Sequence, residues 1–340
     1  MIKKSMKKIF VTKQGGIGDV ILATPILKAL KELYPESYIT FLVFDNAKDI
    51  VAGLPFIDDV FCYNKKRDGF FCLWRKMLGY DAAIFLDLTY RPAVAAKLAG
   101  VPIRVGIEHK RKIWLTKGVK WQPQMDFTYE SYVMGKIAEE ALEIEIPREN
   151  LNKLYVNEGN EQDCAEVAKL LQANGIKPGE KYIASSPITT SNLKNWPLER
   201  WSDLYRRIYD NFGMRTVIFG VEPMNFSWDN EVVVNLWGKL NLRQVVEIIK
   251  NSSLVVNSCA MSIHIAAATD TPSVVIYGPT APERWAPRNK CETVVTPLSC
   301  SPCDGYHGST CTEPKCMKMI TVEEVYATCE RQLEKYLHEA

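Results

Sequence analysis

At 340 residues the chain exceeds what one hydrophobic core usually organises, so two domains of ~150 residues each are expected. Its 42 basic and 40 acidic side chains leave a net charge of +2, which excludes a global electrostatic footprint for nucleic acid or an anionic membrane. No apolar run approaches the ~20 residues that cross a bilayer, and the N-terminus lacks the apolar core of a signal peptide, so a cytoplasmic protein is expected. Lys3, Lys4, Lys7 and Lys8 form one local basic cluster, readable as a solvated tail or as a membrane-surface contact.

In chain order, Lys8 to Thr12 reads as a short apolar strand, followed by a glycine turn and the helical spacing Val20, Leu22, Ile26, Leu27, Leu30, Leu33. Pro25 removes a helix hydrogen bond and predicts a kink or a late helix start near Ile21 to Pro25. Further strands are expected at Tyr38 to Phe44, Val60 to Tyr63, Ala82 to Leu88 and Ile103 to Ile107, with helices between several of them. The pattern restarts after the polar stretch Val156 to Gln162. Strands are then predicted at Tyr182 to Ser185, Thr216 to Phe219, Leu254 to Asn257 and Ser273 to Tyr277. Helices are predicted at Cys164 to Asn174, Leu198 to Phe212, Leu242 to Lys250, Ser262 to Ala268 and Val322 to Leu337, the last able to pack on either domain. This alternation predicts an α/β protein of two Rossmann-like doubly wound sheets, with domains at 1–160 and 161–340 and a central cleft at their carboxyl edges.

The motifs fall at strand ends. In Lys13-Gln14-Gly15-Gly16-Ile17-Gly18-Asp19, Gly15, Gly16 and Gly18 allow backbone close to a ligand, and Asp19 sits where a helix start favours negative charge. Asp19 is either a base for an attacking hydroxyl or a helix cap. The spacing is not GxGxxG, which argues against a nicotinamide enzyme. The loop Thr189 to Pro197 gathers hydroxyls, amides and the Lys194 ammonium, a composition suited to phosphate oxygens or, more plainly, to a solvated loop. His264 heads a small-residue helix as a donor to phosphate or sugar, or as a core histidine. Gly278-Pro279-Thr280 directly follows an apolar strand, where a phosphate-binding turn belongs.

Taken together, GGIGD at 15–19, LDLTYRPAVAAKLAGVPIRVG at 86–106, TTSNLKNWP at 189–197, GKLNLRQVVEII at 238–249 and HIAAATDTPSVVIYGPTAPERWAP at 264–287 resemble glycosyltransferase family 9 in their shared order. The resemblance runs from Lys8 to about Leu333. It implies a GT-B fold and an inverting, metal-independent transfer of a sugar, a heptose above all, from an ADP-heptose-like donor to a saccharide or lipid-linked acceptor of lipopolysaccharide or a related surface glycan. It places the general base at Asp19 on an acceptor-side N-terminal domain, with Gly15, Gly16, Gly18 and Arg91 near the acceptor. Donor contacts are implied at Lys194, Thr189, Thr190, Met261, His264, Gly278, Pro279 and Thr280 of the C-terminal domain, with Glu222 near a ribose-contacting acid. It also implies work at the cytoplasmic face of the inner membrane, without nucleic acid.

Where the family carries Asp-Thr/Ser-Gly five residues before the histidine, this chain has Cys259-Ala260-Met261. The departure keeps two alternatives in view: a non-catalytic family member that binds nucleotide sugar, and a heptosyltransferase acting on a protein acceptor. A nucleotide-sugar epimerase or reductase would need a dinucleotide fingerprint that is absent. Finally, Cys300, Cys303, Cys311 and Cys316 bring four of the ten thiols within seventeen residues. In a reducing compartment that spacing predicts a structural zinc or iron site, or else free thiols, ahead of disulfides.

Overall fold

In the computed structural model of the chain, residues 6–222, 224–303 and 311–337 are described; Lys3 and Lys4 of the basic cluster lie outside them. The chain divides into two compact units, Met1–Asn157 and Glu158–Ala340.

The first unit holds six parallel strands, β1 (Lys8–Thr12), β2 (Tyr38–Val43), β3 (Asp59–Cys62), β4 (Ala82–Phe85), β5 (Ile103–Ile107) and β6 (Lys117–Val119), in the order β3-β2-β1-β4-β5-β6. Helices α1 (Ile17–Leu33), α2 (Lys48–Val51), α3 (Phe70–Lys76), α4 (Tyr90–Leu98), α5 (Glu130–Leu142) and α6 (Arg148–Asn152) complete it. Ile9, Phe10 and Val11 of β1 are all fully buried, because helices cover both faces of a parallel sheet, and the central strands therefore read as continuous apolar runs. The order reverses between β1 and β4, so the loops leaving those two strands diverge and open a crevice at the carboxyl edge.

Pro25 neither delays nor breaks α1, which starts at Ile17 and runs to Leu33. The carbonyl of Ile21, left without its usual amide by the proline, accepts the Thr24 hydroxyl at 2.7 Å. Thr24 Oγ1 in turn accepts the Tyr155 amide at 3.0 Å. A side chain replaces the missing main-chain bond, which answers the sequence expectation of a kink or late start.

The second unit repeats the plan: α7 (Glu161–Ala173), β7 (Tyr182–Ser185), α8 (Leu198–Phe212), β8 (Arg215–Ile218), β9 (Val233–Asn235), α9 (Leu242–Lys250), β10 (Leu254–Ser258), α10 (Met261–Ala268), β11 (Ser273–Tyr277), α11 (Pro282–Trp285), β12 (Cys291–Val295), α12 (Lys315–Met319) and α13 (Val322–Tyr336). Its sheet order is β12-β11-β10-β7-β8-β9, all parallel, with the reversal between β7 and β10. Val322, Val325, Cys329 and Leu333 of α13 share one core with Trp201, Leu204, Tyr205 and Ile208 of α8 and with Val274 and Ile276 of β11. The last helix thus belongs to the second unit.

Strands β6, β9 and β12 escape the sequence reading. All three are edge or near-edge ribbons, two of them of three residues, with polar residues that dilute the apolar signal. The predicted strand Ala82 to Leu88 stops at Phe85, because Asp87 turns the chain by accepting the amide of Thr89 at 2.7 Å.

Candidate active site

Each unit gathers its motif residues at its own switch point. In the first, Gly16 caps α1 and Asp19 is the third helical residue, with Oδ2 accepting the Gly16 amide at 3.1 Å. A Cβ on Gly15 would lie 3.1 Å from the Asp19 Cβ, and one on Gly16 3.3 Å from Oδ2. These glycines make room for the carboxylate itself. Asp19 is half-buried, at the positive end of the α1 dipole.

Behind it, Asp87 binds the two diverging loops together. Its Oδ2 accepts the Thr12 hydroxyl and the Gln14 amide, both at 2.9 Å, and its Oδ1 accepts the amide and hydroxyl of Thr89. The fully buried Arg111 guanidinium donates to the carbonyls of Asp87, Thr89 and Ile107 and fixes the same loop from β5. Lys13 is buried as well. Its ammonium donates to Glu130 Oε1 at 3.1 Å and to the Leu86 carbonyl at 3.4 Å, and stands 3.4 Å from Asp19 Oδ1. Burial alone would lower the Lys13 pKa, but Glu130, Asp19 and Asp87 together outweigh it and hold the ammonium above the ordinary lysine range. Arg91 lies exposed on α4 and donates to the Tyr63 hydroxyl at 3.3 Å.

In the second unit Asn257 takes the place that Asp87 takes in the first. Its Oδ1 accepts the Ser186 amide at 2.5 Å and its Nδ2 donates to Ser262 Oγ, which ties the β7 loop to the start of α10. Lys194 closes a short 3-10 turn, Asn192–Lys194, and reaches the Cys259 carbonyl at 3.5 Å. His264 is fully enclosed on α10; burial first, and then the Lys194 charge, push its pKa down to about 3, so the ring is neutral at pH 7. His264 Nδ1, Ser258 Oγ and Thr280 Oγ1 are buried with no hydrogen-bond partner among the described residues. All three lie where β10 and β11 end. Buried polar atoms are nearly always satisfied, and of these three His264 is the one that feels the Lys194 charge.

Other residues named from the sequence serve differently. Thr189 is buried and spends its hydroxyl on the Ser191 carbonyl and Asn195 Oδ1, both at 3.0 Å, so it shapes its loop; Thr190 is exposed. Glu222 is half-buried and accepts the Trp237 indole N–H through its main-chain carbonyl at 2.7 Å. Met261 opens α10, half-buried, whereas Cys259 packs into an apolar cluster with Ile263, Val275, Tyr277 and Ala286. The glycine of the Gly-Pro-Thr turn has a packing reason. A Cβ on Gly278 would sit 2.4 Å from Met317 Sδ and 3.0 Å from Cys316 Sγ, so its bareness admits α12. Pro279 accepts the Cys303 amide at 3.0 Å and Gly278 accepts Ser301 Oγ at 2.5 Å, which straps the cysteine segment to the turn.

The expected four-thiolate metal site at Cys300, Cys303, Cys311 and Cys316 spans residues 304–310, which lie outside the described residues. Among the described residues, no group of three or more His, Cys, Asp or Glu is placed to hold a metal ion. Cys316 is buried under Gly278, Cys300 and Cys311 are exposed, and Cys303 is half-buried. Burial raises the Cys316 thiol above its ordinary range, with Cys303, Cys300 and Cys311 adding to the effect. Cys316 also packs against the bare Gly278 of the turn.

The sequence reading passed over Asp87, Glu130, Arg111 and Asn257. Asp87 fell inside the strand expected at Ala82 to Leu88, and Glu130 had no local signal, lying 117 residues from its partner.

Residues 71–315 match the family model described as glycosyltransferase family 9 (heptosyltransferase). The chain is 23% identical over 328 residues to lipopolysaccharide heptosyltransferase 2 of Escherichia coli K12, across 88% of this chain and 89% of that protein. A glycosyl transferase family 9 structure from Veillonella parvula superposes with a TM-score of 0.80 at 19% identity, covering 98% of this chain and 99% of the other. The structure of E. coli ADP-heptose lipopolysaccharide heptosyltransferase II gives 0.76 at 19% identity, covering 98% and 100%. The fold is the two-domain α/β GT-B arrangement.

Proposed function

The chain belongs to glycosyltransferase family 9 and is a glycosyltransferase, and from that premise we propose that it moves a heptose from an ADP-heptose-like donor to a saccharide acceptor of lipopolysaccharide, with inversion at the anomeric carbon. The observation that carries the donor side is the trio of orphaned buried atoms Ser258 Oγ, His264 Nδ1 and Thr280 Oγ1 at and after the ends of β10 and β11, with His264 feeling the Lys194 charge. A diphosphate and its sugar offer the oxygens those groups lack.

In this reading Asp19 takes the proton of the acceptor hydroxyl as that oxygen bonds to the anomeric carbon. The bond from that carbon to the diphosphate breaks on the opposite face, and the nucleoside diphosphate departs with the bonding pair. Lys194 and the Gly278 and Thr280 amides meet the growing charge, while neutral His264 offers a hydrogen-bonding ring without adding charge. Glu222 serves the ribose, Met261, Thr190 and Pro279 line the donor, and Gly18 and Arg91 border the acceptor.

A lipid-linked acceptor places the protein at the cytoplasmic face of a membrane, held peripherally. No helix among the described residues is long and apolar enough to cross one. A groove of about 570 Å³ lined by Lys8, Arg75, Lys76, Tyr38, Leu78 and Tyr80, close to the exposed Phe71 on α3, supplies cations and apolar surface for such contact.

Incubating the protein with ADP-heptose and heptose-deficient lipopolysaccharide should yield an extended acceptor with inverted anomeric configuration, read by mass spectrometry and NMR. Donor binding without transfer to any saccharide or protein acceptor would favour a binding scaffold, consistent with Cys259 supplying no carboxylate. No thermal stabilisation by ADP or ADP-heptose would overturn the proposal.

A further inference from the structure

Lys13 has no route to substrate. Its ammonium is enclosed, and an ammonium has three N–H donors. Three acceptors surround it: Glu130 Oε1 at 3.1 Å, the Leu86 carbonyl at 3.4 Å and Asp19 Oδ1 at 3.4 Å. Glu130 is equally buried, at the first position of α5, and it brings to the crevice an element that no motif of the β1 loop foretells. Asp19 is the most exposed member of the triad, its side chain 30% accessible against 7% for each of the other two. With the Gly16 amide on Oδ2 and Lys13 on Oδ1, both of its carboxylate oxygens are held from the protein side.

Resting on the reading of Asp19 as the base, we infer that Glu130 and Lys13 form a buried positioning pair: Glu130 anchors the Lys13 ammonium, and Lys13 fixes the rotamer of Asp19 so that its carboxylate meets the acceptor hydroxyl. The physical reason for two residues is charge. A lone buried ammonium is costly without a counter-ion. If Asp19 alone supplied that counter-charge, it would be drawn inward against the lysine. Glu130 satisfies the ammonium from behind, and Asp19 stays at the crevice with its remaining lone pairs toward the substrate. The pair itself neither gives nor takes a proton in the transfer.

The test separates positioning from folding by removing the charges singly and together. Lys13→Met removes the cation that Glu130 faces and should lower the melting temperature, whereas Lys13→Met/Glu130→Gln removes both charges and should melt close to wild type. The rate should not recover with the fold. The double variant is expected to lose on the order of 10²-fold in kcat, the scale of a misplaced catalytic group, with donor and acceptor KM unchanged. Glu130→Gln alone, nearly isosteric, should lose roughly tenfold, about 1.4 kcal/mol. In an Asp19→Asn background, Lys13→Met should cost no further residual rate, since its effect runs through Asp19. Wild-type kcat in the double variant, or an equal loss from Lys13→Met with and without Asp19, would overturn the inference. Wild-type kcat in Asp19→Asn alone would instead overturn the reading of Asp19 as base.

Discussion

The two units share one strand order and one way of closing a switch point, and they differ in charge. In the first, the side chain that joins the two loops is the carboxylate of Asp87, and Asp19 and Glu130 stand around one buried lysine. In the second, the joining side chain is the neutral amide of Asn257, the histidine is neutral, and Lys194 is the cation beside it. In the proposed reading, one scaffold used twice then offers a proton acceptor on one unit and an anion-receiving pocket on the other. The difference teaches that the fold supplies the place, and the charge of a few side chains at that place divides the chemistry.

The strongest way to break the comparison is to remove the base. Asp19→Ala should reduce transfer by roughly 10²- to 10⁴-fold, the usual contribution of a general base, while ADP still raises the melting temperature as in wild type. Lys194→Met should do the reverse in kind, weakening ADP binding in calorimetry along with the rate. If Asp19→Ala abolished ADP binding and Lys194→Met spared it, the assignment of roles to the two units would be wrong.

Exchanging the joining residues sharpens the same contrast. Asn257→Asp loses the donor to Ser262 and buries a negative charge where a diphosphate is proposed to bind, so ADP affinity should fall tenfold or more and stability by about 1–3 kcal/mol. Asp87→Asn should lower stability by a similar amount, measured by urea unfolding, with ADP affinity intact. Gly278→Ala asks whether the turn is shaped by packing. A Cβ 2.4 Å from Met317 Sδ should cost about 1–3 kcal/mol in stability. A loss of ADP affinity at unchanged stability would return the glycine to a ligand-facing role.

The neutral histidine gives a pH signature of smaller size. Its folded pKa, about 3, lies below the ordinary value of 6.5, so below pH 6.5 the unfolded chain takes up a proton that the folded chain refuses. Its stabilising contribution is complete above pH 6.5 and is lost progressively as pH falls toward 3, at up to about 1.4 kcal/mol per pH unit. His264→Gln should flatten that slope in denaturation series between pH 4 and 7; an unchanged slope would assign it to other groups. The smallest effects belong to the exposed thiols. Cys300→Ser and Cys311→Ser should shift stability by less than about 0.5 kcal/mol, while Cys316→Ala, beneath the turn, should be measurably destabilising.

The sequence made β1 to β5, β7, β8, β10 and β11 legible, and the apolar runs of central strands such as β1 and β10 are dictated by helices on both faces. Of the four edge strands only β3 was legible, and β6, β9 and β12 were missed because short, half-exposed strands carry little periodic signal. At the site, Asp19, Lys194 and His264 could be named because each sits in a compact motif at a strand end. Thr189 and Gly278 were named as ligand-facing, and the structure shows that each also has a local task, a loop hydrogen bond for Thr189 and room for Met317 at Gly278. A hydroxyl in a loop and a bare glycine look the same in one dimension whether they face a ligand or a neighbouring side chain.

By itself the sequence determined the alternation of strands and helices, the family, and the short segments that carry charge and hydroxyls, since those depend on neighbours a few residues apart. Only the tertiary structure decided that Glu130 stands behind Lys13, that Arg111 and Asp87 lock the crevice, that the last helix joins the second unit, and that Cys316 packs beneath Gly278. Each of those contacts joins residues far apart in the chain, and a buried ion pair or a close packing of sulfur on glycine leaves no local pattern in the chain before it folds.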